Sequence, residues 1–192
     1  MWFAAAALGF ASLGAYDFSG GPPPIGAVKW RLNEAIPLGS DRPTLVYFIH
    51  PRCPCTAAGI AQLDRVLSRF AGAFRPHVVI VLPDDVGEGW ERGRNLDAAA
   101  QLPEVAVTID RGGGVAQLFG AERSGTLLAF APDGARLFAG GLTASRGHGG
   151  DSLGSLALHD LAVGAVPRRD ATPVFGCPLL GVGGPGDGAR RR

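Results

Sequence analysis

Lysine is almost absent from this 192-residue chain: Lys29 stands alone among 18 basic residues, the rest being arginine. Charge of either sign is scarce, at 18% of residues, and the balance of 18 basic against 17 acidic side chains is +1. So weak a field excludes nucleic acid as a partner. Cysteine occurs only three times, too few for a disulfide scaffold in a chain long enough to build a core without one. No C-x-x-C spacing is present, and no internal repeat is visible. Wholesale disorder is excluded in turn, because 46% of the residues are apolar.

The N-terminal 15 residues (MWFAAAALGFASLGA) carry neither charge nor proline. As a helix they would reach roughly 22 Å at 1.5 Å per residue, short of a ~30 Å hydrocarbon core. No Lys or Arg precedes them, as a signal peptide would require. Residues 1–16 are read as a signal anchor, which places the rest on the extracytoplasmic side of the membrane, where disulfides persist. The alternative is a buried helix. Residues 17–40 form a linker and N-terminal extension, breaker-rich at YDFSGGPPP. Residues 166–192 form a C-terminal extension ending in GVGGPGDGARRR, a solvated, disordered tail by composition.

Between these ends the elements alternate. Residues 44–49 (TLVYFI) make a continuous β-rich apolar run, the pattern of a strand buried on both faces. Residues 56–70 place Ile60, Leu63, Leu67 and Phe70 at helical spacing. Residues 77–82 (HVVIVL) are a second buried strand, followed by a helix over 90–102, a strand over 105–109 and a short helix over 115–119. Residues 126–130 and 135–139 flank Pro132-Asp133-Gly134 and predict a β-hairpin. Asp151 or Ser152 caps a last helix that runs to Val163. A right-handed parallel β-α-β unit, a hairpin and a closing helix give an α/β domain over 41–165. Its layers are α/β/α on a central mixed sheet, the thioredoxin arrangement.

Cys53 and Cys55 lie where the first buried strand gives way to the amphipathic helix. Unpaired N–H groups and the helix dipole stabilise a thiolate there. His50 and Arg52, where they point at the sulfur, act in the same direction. Cys53 is thus the expected nucleophile, near the helix N-cap; Pro54 fits the first helical position, and Cys55 in the first turn is the resolving thiol. A disulfide across one intervening residue closes a strained, easily reduced ring, suited to exchange rather than to stapling. The alternative is a pair of inert buried cysteines.

The segment HPRCPCTAAGIAQL, set between strand and helix, resembles the active-site segment of membrane-tethered thioredoxin-fold proteins of thiol–disulfide exchange. Together with FAGGLTASRGHGGDSLG (138–154), it is similar to the RedB-like group, over about residues 40 to 165. The resemblance implies a redox domain facing the periplasm and tethered to a bacterial inner membrane by its N-terminal helix, with protein thiols or disulfides as partners. Two departures stand out. The spacing is C-P-C, and the place where thioredoxins hold a cis-proline opposite the cysteines reads Arg123-Ser124-Gly125-Thr126. Ser124, Gly125 and Thr126, with His50, Pro51, Arg52 and Arg146, are the expected substrate-binding or tuning residues.

In this arrangement the Gly-rich segment 140–151 (GGLTASRGHGGD) emerges beside Cys53. His148 is its candidate general acid/base, or a metal ligand; otherwise the loop merely caps the following helix. His77 and His159 read as structural. Cys177 is open between a resolving thiol, a metal ligand and a buried packer, the last being the default. Thiol–disulfide exchange is the leading function, without a cofactor. The main alternative is a copper-binding protein holding the soft ion through Cys53, Cys55 and His148, with His50 or Cys177 as further ligands. Peroxidase chemistry is disfavoured, since no Thr stands three residues before either cysteine. A non-catalytic scaffold is the remaining reading.

Overall fold

The structure is a computed structural model and describes residues 2–24, 29–30 and 36–180. The expected solvated tail at 181–192 and part of the 17–40 extension lie outside the described residues. The elements run α1 (Trp2–Asp17), β1 (Thr44–Ile49), α2 (Thr56–Arg69), β2 (Arg75–Leu82), α3 (Arg94–Ala100) and β3 (Ala106–Arg111). They continue through α4 (Gly114–Phe119), β4 (Thr126–Phe130), β5 (Arg136–Gly140) and α5 (Leu153–Ala162).

The strands form one mixed sheet in the order β3-β2-β1-β4-β5. β1 pairs parallel with β2, β2 parallel with β3, and β4 runs antiparallel to both β1 and β5. Every residue of the central strand β1 is buried, as its unbroken apolar run requires. Its side chains alternate between two cores. Leu45, Tyr47 and Ile49 face a cluster filled by α2 and α5, through Ile60, Leu63, Val66, Leu67, Leu158 and Leu161. Val46 and Phe48 face the other, filled by Phe119 of α4, Phe130, Ile36 and Leu179. Each fully buried side chain of this kind contributes about 1.5–3 kcal/mol, and the α2 stripe alone supplies four.

The sheet layers match the expected three-layer arrangement, and most elements lie within two residues of their predicted bounds. The helix expected over 90–102 is shorter. Gly93, at φ 147°, holds a backbone conformation that other residues rarely adopt, and α3 starts only after it. Ser152, one of the two expected caps, caps α5 in a reciprocal capping box with Ser155. α1 buries no residue, which excludes the buried-helix alternative for its 16 residues. Among the described residues, no helix is long and apolar enough to cross a membrane.

The extension beyond α5 is not a loose tail as far as residue 180. It runs along β5, where Thr172 N–H donates to the Ala139 carbonyl and Ala139 N–H to that of Asp170. It then crosses to the start of β4, where Arg123 and Pro178 form an antiparallel bridge. Buried Val174 and Leu179 anchor the two sides of this crossing.

Candidate active site

The C-terminal end of β1 delivers the chain into a tight turn before α2. The Cys53 N–H donates to the His50 carbonyl at 3.1 Å, and Thr56 N–H donates to the Cys53 carbonyl at 3.2 Å. Regular helix therefore starts at Thr56, with Cys55 as its N-cap residue. This corrects the expected placement: Pro54 sits in the turn rather than at the first helical position, and Cys55 precedes the first turn. No side chain caps this helix start, and the Cys55 N–H favours the Cys53 thiolate.

Cys53 is 1% exposed. Burial pushes its pKa up, but hydrogen bonds to the sulfur outweigh it and leave the thiol below its ordinary value. The donors are the Thr56 hydroxyl, the Cys177 N–H at 3.5 Å, the Cys177 thiol and the Cys55 N–H. Behind Thr56 the network continues. Its Oγ1 lies 2.6 Å from the Ser124 Oγ, which accepts the His50 N–H at 2.8 Å. A chain of donors thus runs from the end of β1 through two buried hydroxyls to the sulfur, each bond polarising the next.

The sequence-predicted tuning residues divide. Ser124 lies in the network and is buried. Gly125, at φ 94°, donates its N–H to the Phe48 carbonyl at 2.8 Å and ties this turn to β1. Thr126 returns its hydroxyl to the Arg123 carbonyl at 2.7 Å. Among the described residues no peptide bond is cis. Pro51 lies in the turn and is buried.

His50 and Arg52 do not serve the thiolate by charge. The Arg52 guanidinium lies 4.4 Å from the centre of the Trp90 ring, and the cation–π contact and exposure hold it there rather than at the sulfur. The His50 ring meets Trp90 edge-on at 5.2 Å, and its Nδ1 accepts the Arg52 N–H at 3.2 Å. Burial first, and then the Arg52 charge, lower its pKa, so the ring is neutral at neutral pH.

His148 is exposed, and its recorded bond is the backbone one from its N–H to the Ser145 carbonyl at 3.4 Å. The ring is not brought to the cysteines, because glycines on either side leave nothing to pack it inward. From the same loop it is Arg146 whose charge reaches the sulfurs, drawing the Cys177 thiol down. Arg146 also stacks on Tyr16 at 4.8 Å and donates to the Ser19 carbonyl at 3.1 Å, docking the end of α1 on the loop. Among the described residues, no group of three or more His, Cys, Asp or Glu side chains is arranged to hold a metal ion. The Cys53–Cys55–His148 set expected for copper is therefore not assembled.

Three participants escaped sequence reasoning. Asn95, buried at the start of α3, donates to the Cys53 carbonyl at 2.9 Å and to that of His50 at 3.4 Å. Thr56 reads as an ordinary helix residue. Cys177, with packing as its default, instead lies against Cys53. His77 is buried and its Nε2 lies 2.8 Å from Thr108 Oγ1.

No family model matches the sequence, and no curated protein matches it. Solved structures do share the fold. An uncharacterized conserved protein from Geobacillus kaustophilus is 19% identical with a TM-score of 0.61, over 85% of this chain and 90% of that one. A hypothetical protein from Sinorhizobium meliloti is 16% identical with a TM-score of 0.63, over 86% and 96%. A thioredoxin-like protein solved in its oxidized form is 12% identical with a TM-score of 0.50, over 75% and 97%. The fold is thioredoxin-like.

Proposed function

We propose that this protein is a thiol–disulfide oxidoreductase whose attacking group is the Cys53 thiolate. The observation that carries the reading is a buried Cys53 sulfur at the strand-to-helix turn that accepts the Cys177 N–H at 3.5 Å, with hydrogen bonding lowering its pKa against burial. Cys53 attacks a sulfur of a partner disulfide and the partner's other sulfur leaves as a thiolate. Cys55 then attacks the Cys53 sulfur of the mixed disulfide and frees the second partner thiol. Two protein thiols carry the two electrons, so no cofactor is needed. The substrates are protein disulfides or, in reverse, protein thiols.

The finer kinship with the RedB-like group rests on the two motif blocks around Cys53 and Arg146. The proposed location is the periplasmic face of a bacterial inner membrane, with α1 as the attachment. What supports it is the exposed apolar surface of α1, including Trp2, Phe3, Leu8, Phe10 and Leu13, which packs on nothing in the domain. At about 24 Å the helix attaches without needing to span.

Equilibration of the protein against glutathione buffers, with free thiols counted at each ratio, tests the exchange. A reversible two-thiol transition is expected, and it disappears in Cys53→Ser. Thiols that stay unchanged at every ratio contradict the reading. Flotation with anionic vesicles tests the attachment: the protein rises with the lipid, and Phe3→Glu with Phe10→Glu leaves it behind.

A further inference from the structure

We propose that Cys177 is a third redox thiol, and that the stable oxidised site carries a Cys53–Cys177 disulfide. The inference rests on the exchange reading above and assigns the resting bond within it.

The C-terminal segment is fastened across the cysteine turn by backbone pairing, not by chance contact. Ser124 N–H donates to the Cys177 carbonyl at 2.8 Å, and Leu179 N–H to the Glu122 carbonyl at 2.9 Å. The Arg123 side chain donates to the Gly176 carbonyl at 3.2 Å. A Cβ at Gly176 would collide with the Ser124 carbonyl, so the approach needs glycine directly before Cys177. The segment thus adds a short antiparallel strand to 122–124, the mode by which a peptide docks on an open edge. Its buried neighbours Val174 and Leu179 fix it on both sides. The result aims the Cys177 N–H and thiol at the Cys53 sulfur.

Three thiols then share two alternative bonds. A partner disulfide is the oxidant; it is reduced to two thiols as the Cys53–Cys55 bond forms. Deprotonated Cys177 attacks the Cys53 sulfur, and Cys55 leaves as a thiolate that takes up the proton Cys177 lost. This second step is electron-neutral. It exchanges a bond in the short, strained C-P-C ring for one between segments already held side by side.

The order of events is built into the electrostatics. While Cys53 is a thiolate, the Cys177 thiol donates a hydrogen bond to it. Burial, then that hydrogen bond, then the charges of Cys53 and Cys55 push its pKa up to about 11. Once Cys53 is bonded to another sulfur, the hydrogen bond and the Cys53 charge vanish while the Arg146 attraction remains. Cys177 is therefore easier to ionise once Cys53 has reacted, with burial still holding its pKa up.

The test takes the full 192-residue chain, oxidises it with glutathione disulfide, blocks free thiols with N-ethylmaleimide and maps the bridges by peptide mass spectrometry. The expected result in the unsubstituted protein is a peptide joining Cys53 to Cys177, with Cys55 alkylated. Cys177→Ser then shows only the Cys53–Cys55 bridge and is reduced roughly tenfold more readily, about 30 mV. A Cys53–Cys55 bridge with alkylated Cys177 in the unsubstituted protein overturns the proposal and leaves thiol exchange standing. No bridge at any glutathione ratio overturns both.

Discussion

The cysteine turn and the histidine loop leave the same edge of the sheet, yet the structure treats them in opposite ways. Residues 50–56 are held by Asn95, which donates to the His50 and Cys53 carbonyls, and by the Ser124 hydroxyl, which accepts the His50 N–H and pairs with Thr56 behind the Cys53 sulfur. Residues 147–150 are exposed, and among the described residues His148 hydrogen-bonds through its backbone N–H. Topology brings a loop to an edge, but only packing and bonded neighbours aim its side chains. Proximity of a histidine to a thiol in fold space is therefore weak evidence of chemistry, whereas a sulfur that accepts several donors is strong evidence.

The contrast implies a ranking of effects. Cys53→Ser removes exchange altogether, read as loss of the glutathione-dependent transition. Asn95→Ala removes the side-chain donor to the Cys53 carbonyl, which keeps the Thr56 N–H, and costs about 0.5–1.5 kcal/mol of stability, seen in the denaturant midpoint. Thr56→Val keeps the shape and deletes one donor to the thiolate. A hydrogen bond to a charged group contributes about 1.5–3 kcal/mol, so alkylation by iodoacetamide at neutral pH slows on the order of tenfold.

Acid has a smaller, graded effect. Burial lowers the pKa values of His50 and His77 from their ordinary 6.5, and the Arg52 charge lowers that of His50 further. As pH falls, the unfolded chain takes up these protons first. Stability is therefore full above 6.5 and is lost below it. Denaturant midpoints taken from about pH 8 to about pH 5 should fall on the acid side, and less steeply in His50→Asn. His148→Ala, the smallest change, should leave both exchange and stability within error; a large loss of exchange would restore the loop to the site.

The fold was legible where burial is continuous or periodic. β1, β2 and β4 follow from unbroken apolar runs, and α2 from Ile60, Leu63 and Leu67 on one face. Cys53 was legible from its place between strand and helix. The direction of its neighbours was not: Arg52 has Trp90 to stack on, a contact fixed by a loop without periodicity. Asn95 joins the site across 42 residues and Cys177 across 124. The stretch around Cys177 (ATPVFGCPLL) carries breakers and no strand pattern. Its pairing depends on the unpaired backbone at 122–124, which becomes visible only once the sheet is assembled.

The most direct measurement is the ultraviolet titration of the thiolate in the reduced protein, with the Cys53→Ser trace subtracted. A single transition below the ordinary thiol value of 9.0, moved upward in Thr56→Val, is the predicted result. A Cys53 transition at or above that value, indifferent to Thr56, would contradict an activated sulfur.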